Sequence, residues 1–445
     1  MEDLLIHNAL IVTANPAFEV IPRGFVSARK ERLTSVAAQV KGRALPPARE
    51  VIDAGGGIVL PGLVNAHTHL PMAMYRGLAD DLPLMEWLED HIFPAEARFA
   101  TPENIAWATR LSCAEMLLGG VTTCCDGYFE ADAVAAAAAE MGLRAVVGQG
   151  VVDFPAPGVP DPAGNVAAAE GFVRRWQGRS PLITPAIFCH SPYTCGAATL
   201  KAAKAAARQA GVLFQIHLAE TREETARLTR AEGCSPAAYL ARLGVLDRQT
   251  LAVHGVWLNE ADIRLLADSG AALAHCPESN MKLGAGIAPL AAMRAAGVRL
   301  ALGTDGCASN NDQDLLREMD TAAKLHKVRS GDPTSFDAAT VLRMATSQGA
   351  EAIGLGAAIG SLEAGKQADL IVLDPRHPAL NPCYNPVSQV VYAAAGDAVQ
   401  HTVVAGRLRV RNRRPVDWSL PPILEAVNAI ARDIAAARPP AARGR

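Results

Sequence analysis

Leu60-Pro61-Gly62-Leu63-Val64-Asn65-Ala66-His67-Thr68-His69 is an apolar run that ends in two histidines one residue apart. On a β-strand, side chains at i and i+2 share a face. His67 and His69 are therefore expected to leave the end of one strand together, as two ligands of a single metal would. Pro61 and Gly62 punctuate the entry to that strand and suggest a boundary just before it. Alone, an H-x-H is as often a polar strand end as a metal site, so the surrounding chain has to decide.

Downstream of Leu63 the pattern becomes strands alternating with helices, which predicts parallel βα units. Eight strands are expected: Leu63–His69, Val121–Tyr128, Arg144–Val152, Leu182–His190, Val212–Leu218, Leu251–Trp257, Ala271–Cys276 and Arg299–Thr304. Between them, Thr101-Pro102-Glu103 is a helix start, and Ala131–Met141 and Thr199–Ala210 are Ala-rich helices. An α/β fold of the TIM-barrel type, (β/α)8, follows, with its active site at the C-terminal strand ends. Leu70–Ala100 and Asp153–Gly164 are long excursions from those ends and are expected to cover the site. Thr340–Gly354 reads as an outer helix.

Upstream, residues 4–60 read as short strands separated by Asn, Pro and Gly. After residue 360, Ala368–Asp374, Val387–Ala393 and His401–Val410 again read as strands, followed by a helix near Ile423–Ala436 and a frayed Pro/Arg tail. The simplest arrangement is a small β-sandwich built from both chain ends. Residues 1–60 and 360–445 would form it, and residues 61–359 the catalytic barrel.

Composition narrows the function. Of 445 residues, half are apolar and 20% charged, ordinary for a globular chain, and the net charge of −3 comes without a basic cluster. Nucleic-acid binding through a phosphate-neutralising patch is not expected. The nine cysteines show no C-x-x-C spacing, so reduced thiols are expected. With an acidic N-terminus and no membrane-length apolar run, the protein reads as soluble and cytoplasmic. Its partner would be a small-molecule substrate, with a symmetric homo-oligomer the default assembly.

Polar residues gather where the expected strands end. His67 and His69 close the first, His190 the fourth, His217 lies on the fifth, His254 on the sixth and His275 near the end of the seventh. The eighth runs into Gly303-Thr304-Asp305-Gly306. Each histidine alone would be an ordinary core or loop residue; as a set they read as a metal site. Three imidazoles and a carboxylate suit Zn²⁺ or another borderline divalent ion, with a position left for water. Such an ion lowers the pKa of water from 15.7 towards about 7 and so supplies hydroxide at neutral pH. Glu220, three residues after His217, is placed to face the same cavity and shuttle a proton to a substrate ring nitrogen.

At this point the sequence resembles the amidohydrolase superfamily, most closely its branch of 5-methylthioadenosine/S-adenosylhomocysteine deaminases and related aminohydrolases. The resemblance covers nearly the whole chain. It is carried by Pro61–His69, Arg76-Gly77-Leu78-Ala79-Asp80-Asp81-Leu82, His190-Ser191-Pro192-Tyr193-Thr194-Cys195 and His217-Leu218-Ala219-Glu220-Thr221, and then by Ser279-Asn280-Met281-Lys282-Leu283, Gly303–Gly306, Ala308-Ser309-Asn310-Asn311 and Glu363–Leu370. It implies one divalent metal per subunit, Zn²⁺ before Fe²⁺ or Mn²⁺, held by His67, His69, His217 and Asp305. Asp305 would also take the proton of the attacking water, and Glu220 would protonate the ring nitrogen beside the attacked carbon. His254 would lie near the water, with Glu96 contacting ribose hydroxyls and His190 the substrate above the metal. One departure is Gln149, where relatives acting on methylthioadenosine or S-adenosylhomocysteine can carry arginine. The reaction implied is hydrolytic deamination of an adenosine-type nucleoside. The alternatives are an aminohydrolase or chlorohydrolase of another aminated ring (s-triazine, guanine, pterin) and, further off, a cyclic-amide hydrolase.

Overall fold

The computed structural model describes residues 1–437, and the Pro/Arg tail lies outside them. Eight parallel strands stand side by side in chain order: Leu63–Thr68, Val121–Tyr128, Arg144–Val151, Ile183–Cys189, Phe214–Leu218, Thr250–His254, Ala272–His275 and Arg299–Leu302. Each overlaps one of the expected strands. Every position of Val121–Tyr128 and Arg144–Val151 is buried, because helices cover one face and the barrel interior the other. Pro102–Leu118 starts as its sequence predicts, with the Thr101 hydroxyl accepting from Asn104 N.

The barrel closes through the Asn65 side chain and a backbone bond. Between the eighth and first strands, Asn65 Nδ2 donates to Thr304 Oγ1 at 2.7 Å, and Asn65 Oδ1 accepts from Thr304 N at 3.1 Å. One residue on, Asp305 N donates to His67 O at 3.0 Å. A Cβ on Gly303 would fall 2.7 Å from His67 N, so only glycine lets the two segments approach this closely. The two motifs that frame the barrel sequence are thus locked together, and this lock brings Asp305 to His67.

The chain ends share one nine-stranded mixed sheet, joined where Leu370–Leu373 pairs antiparallel with Ile58–Pro61. Ile6, Ile11, Leu33, Val59, Leu370 and Val372 fill its own apolar cluster. Two of its strands, Arg32–Ala38 and Ala48–Asp53, are absent from the sequence reading; they bury few residues and their alternation is weak. Arg144 forks onto Asp369 at 2.7 and 3.1 Å, a buried pair that ties the third barrel strand to this sheet.

The expected strand Val387–Ala393 is instead a helix, Pro386–Tyr392. Asn385 caps it by accepting from Val387 N and Ser388 N, Pro386 occupies its first turn, and Val387, Val390 and Val391 are buried at helical spacing. The β-branched composition points to a strand, but the caps and the three-and-four spacing win. Thr340–Gly354 likewise divides into Ala338–Met344 and Ser347–Ala352, because Ala345 O between them accepts from Val64 N at the start of the first barrel strand. No helix of the described residues is long and apolar enough to cross a membrane.

Candidate active site

His67, His69, His217 and Asp305 meet at the C-terminal mouth of the barrel, with one donor atom from each within 4.8 Å of the others. Asp305 Oδ1 is 3.3 Å from His67 Nε2 and 3.2 Å from His69 Nε2, and His217 Nε2 is 3.1 Å from His67 Nε2. Donors bound at 2.0–2.1 Å around a tetrahedral centre stand about 3.3 Å apart, so the four fit Zn²⁺ or an ion of similar size. The electrostatics agree. Burial drops the His67 imidazole to about 4 and holds His217 well below its ordinary value, so both are neutral donors at pH 7. Burial pushes Asp305 the other way, yet its bonds to His67 and His69 hold the carboxyl well below the usual range.

The ligands are themselves held. His69 Nδ1 lies 2.6 Å from Gly127 O, which puts its proton there and frees Nε2 for the metal. Asp305 Oδ2 accepts from Ser279 Oγ at 2.7 Å and Ser309 Oγ at 2.8 Å. Ser309 had no role in the sequence reading; its motif position alone marked it. Ala219, His254 and Asp305 all have left-handed backbones, at φ 50°, 71° and 60°. Non-glycine residues rarely adopt this conformation, and these three stand at the strand ends that carry the candidate site.

Glu220 follows the Ala219 turn. Glu224 fixes that turn by accepting from Glu220 N at 2.8 Å and Ala219 N at 3.2 Å, while Thr221 caps the following helix by accepting from Glu224 N. The spacing Thr221-x-x-Glu224 is a capping-box signal legible in the sequence. Burial raises the Glu220 carboxyl, which suits a proton carrier. His254 Nδ1 lies 3.0 Å from Asn280 Oδ1, leaving Nε2 to face Glu220 Oε2 at 3.8 Å. His190 packs edge-on against His217, ring centroids 5.0 Å apart, with its Nδ1 3.1 Å from Thr194 Oγ1.

His69, His190, His217, Glu220, His254, Asp305 and Ser309 line one cavity of 430 Å³, and both long excursions cover it as expected. Leu84–Phe99 is helical throughout but widens to a π-turn at Trp87–Ile92, just before Pro94, whose ring would clash with an α-helical carbonyl four residues back. It carries Glu96 to the cavity wall, where Tyr128 Oη donates to its carboxylate at 2.5 Å. Burial pushes Glu96 up to about 7. Around the mouth, Arg76 pairs with Glu115 and donates to Asn311 O at 2.9 Å, and Lys282 bridges Asp80 and Asn311.

Two residues stand apart from the cavity wall. His275 ends its strand but pairs with His326 at 3.0 Å, so of the six rim histidines four line the cavity, His67 is fully buried beside them and His275 is turned away. Gln149 caps the helix Ala131–Met141 by accepting from Ala131 N at 3.1 Å and does not line the cavity.

This barrel, mouth and ligand set define a metal-dependent hydrolase, and residues 58–409 match the Amidohydrolase family, to which the chain belongs. It is 45% identical over 432 residues to the 5-methylthioadenosine/S-adenosylhomocysteine deaminase of Syntrophobacter fumaroxidans, covering 97% of this chain and 98% of that one. It is 39% identical over 439 residues to the 5′-deoxyadenosine deaminase of Methanosarcina mazei, covering 98% and 99%. Among solved structures it resembles an adenosine deaminase from Xanthomonas campestris with bound zinc, at TM-score 0.95 and 39% identity over 98% of this chain and 99% of that one.

Proposed function

We propose that this protein is a metal-dependent aminohydrolase that deaminates adenosine-type nucleosides, converting the ring C–NH₂ to C=O and releasing ammonia. The observation that carries this reading is the shared cavity. His69, His217 and Asp305 of the four-donor cluster line it, together with the buried Glu220 and the Glu96–Tyr128 pair. The three relatives described above are named as adenosine-type deaminases, which supports the same substrate class.

His67, His69, His217 and Asp305 would hold the ion, and we take it to be zinc on the donor spacing and the zinc-bound neighbour. Bound there, an ion would lower the pKa of water and so make it a nucleophile at neutral pH. Asp305 accepts the proton of that water, its Oδ2 steadied by Ser279 and Ser309. Glu220, its carboxyl raised by burial, protonates the ring nitrogen next to the attacked carbon and makes that carbon electrophilic. His254, oriented by Asn280, stabilises the charge that develops on the attacking oxygen. Glu96 accepts from the ribose hydroxyls, and His190 contacts the substrate over the ligand cluster. Nine unpaired cysteines fit a reducing cytoplasm.

The test is ammonia release from methylthioadenosine, 5′-deoxyadenosine, adenosine and S-adenosylhomocysteine, with metal content measured on the same sample. Glu220→Gln is expected to keep the metal and lose at least about 10²-fold in kcat. Metal-loaded wild type that releases no ammonia from any of the four nucleosides overturns the reading.

A further inference from the structure

The outer half of the cavity differs in kind from the metal end. Phe93 lies one helical turn before Glu96 on the same helix face, and its ring meets Phe154, centroids 5.6 Å apart. Phe154 opens the stretch Phe154-Pro155-Ala156-Pro157-Gly158-Val159-Pro160, five of whose residues line the cavity. The three prolines have no N–H. The amides of Ala156 and Val159 bond each other's carbonyls at 3.1 and 2.9 Å. Among the described residues, no Lys, Arg, Asn, Gln or Thr lines the cavity. Its only hydroxyl of the serine type, Ser309, is already committed to Asp305. The acidic neighbours offer an anion no counter-charge: Glu96 on the wall and Glu130 packed under Gly158 are both carboxyl groups. Lys282 and Arg76, beside the mouth, are spent on Asp80 and Glu115, and Arg227, near Tyr193, does not line the cavity.

We propose that this proline-rich, donor-poor wall selects nucleosides with a short apolar 5′ substituent, a methylthio group or a bare methyl, against those that end in an amino-acid zwitterion. The inference rests on the adenosine-type reading, with ribose held at Glu96. A nucleoside held there directs its 5′ carbon away from the metal and onto Phe93, Phe154 and the prolines. A methylthio group gains apolar contact there. The carboxylate of a homocysteine tail would give up its hydration against a wall that offers no cation and few free N–H groups.

The experiment compares kcat/KM for methylthioadenosine, 5′-deoxyadenosine and S-adenosylhomocysteine on the zinc-loaded wild type. The first two are expected to exceed the third by about 100-fold or more. Ala156→Arg and Pro160→Arg each add a cation to the wall, and either should narrow the methylthioadenosine-to-S-adenosylhomocysteine ratio about ten-fold. Ratios near one in the wild type overturn this inference while leaving the deaminase reading intact, since all three nucleosides would then release ammonia. A large wild-type ratio that neither arginine narrows also overturns it, because the wall would not be the source of selectivity. No ammonia from any of the three overturns the deaminase reading itself.

Discussion

Ser279 and Ser309 offer the sharpest test of how Asp305 is held. Its two oxygens have separate tasks: Oδ1 faces His67 and His69 at 3.3 and 3.2 Å, and Oδ2 is gripped by the two hydroxyls at 2.7 and 2.8 Å. Rotation of an aspartate about its last torsion is soft, so the hydroxyls are what fix which oxygen meets the metal. A hydrogen bond to a charged group is worth about 1.5–3 kcal/mol. Removing one hydroxyl, in Ser279→Ala or Ser309→Ala, leaves Oδ2 with a donor, and we expect the low end, about ten-fold in kcat/KM. Removing both strands a buried carboxylate oxygen without a partner. The double variant should therefore lose more than the product of the two singles, in both kcat/KM and metal affinity. The assays are steady-state deamination and competition with a chelator, with thermal unfolding as a control on folding. If the double variant stays within two-fold of wild type in both readouts, the hydroxyls do not position Asp305 and the reasoning fails.

Two further perturbations probe the wall and the seam. Burial raises Glu96 to about 7, above its unfolded value. Its protonated form is thus favoured in the fold, a contribution fully present below about pH 4.5 and lost as pH rises through about 7. Glu96→Gln, neutral throughout, should match wild type near pH 4 and become relatively more stable by up to about 3 kcal/mol at pH 8, read by urea unfolding across pH. A stability difference independent of pH would falsify the assignment. Gly303→Ala would set a methyl 2.7 Å from His67 N and 2.8 Å from His67 O, both backbone atoms that cannot swing aside. It should lower metal retention and cost at least about ten-fold in activity; unchanged metal content and activity would show that the seam tolerates the methyl.

What the sequence made legible follows from which forces were local. Parallel strands buried on both faces write themselves as apolar runs, so all eight appear in the chain at nearly the observed bounds. The Thr101 cap and the alanine content of Ala131–Met141 are equally local, and both helices read directly. The edge strands Arg32–Ala38 and Ala48–Asp53 escaped because their exposed faces leave too little alternation. Val387–Ala393 misled because β-branched composition weighed more than the Asn385-Pro386 cap, although the cap was present in the sequence all along. The partners of the ligands were the least visible. Tyr128, Ser279, Ser309 and Asn280 act across sequence separations of 26 to 32 residues, or through a fold that only the closed barrel supplies. Ser309 is the exception in distance, four residues from Asp305, yet its hydroxyl has no local signature.

The same division explains why chemistry and substrate stand on different footing. The reacting groups sit at strand ends, where hydrogen bonds from the barrel fix even left-handed residues such as His254 and Asp305. A motif at a strand end therefore carries its geometry with it, and the ligand set could be inferred from the motif order. Substrate selection lies with loops, and a loop's contribution depends on what faces it. Gln149 looked like a lost contact to substrate, yet it caps a helix. The prolines of residues 155–160 lie in an excursion expected to cover the site, and they line the cavity as a surface with little to offer a charge. An arginine lost from one position matters only if no other cation reaches the same space. Here the space itself is apolar and flanked by acids, so the wall rather than any single residue sets which 5′ group is accepted.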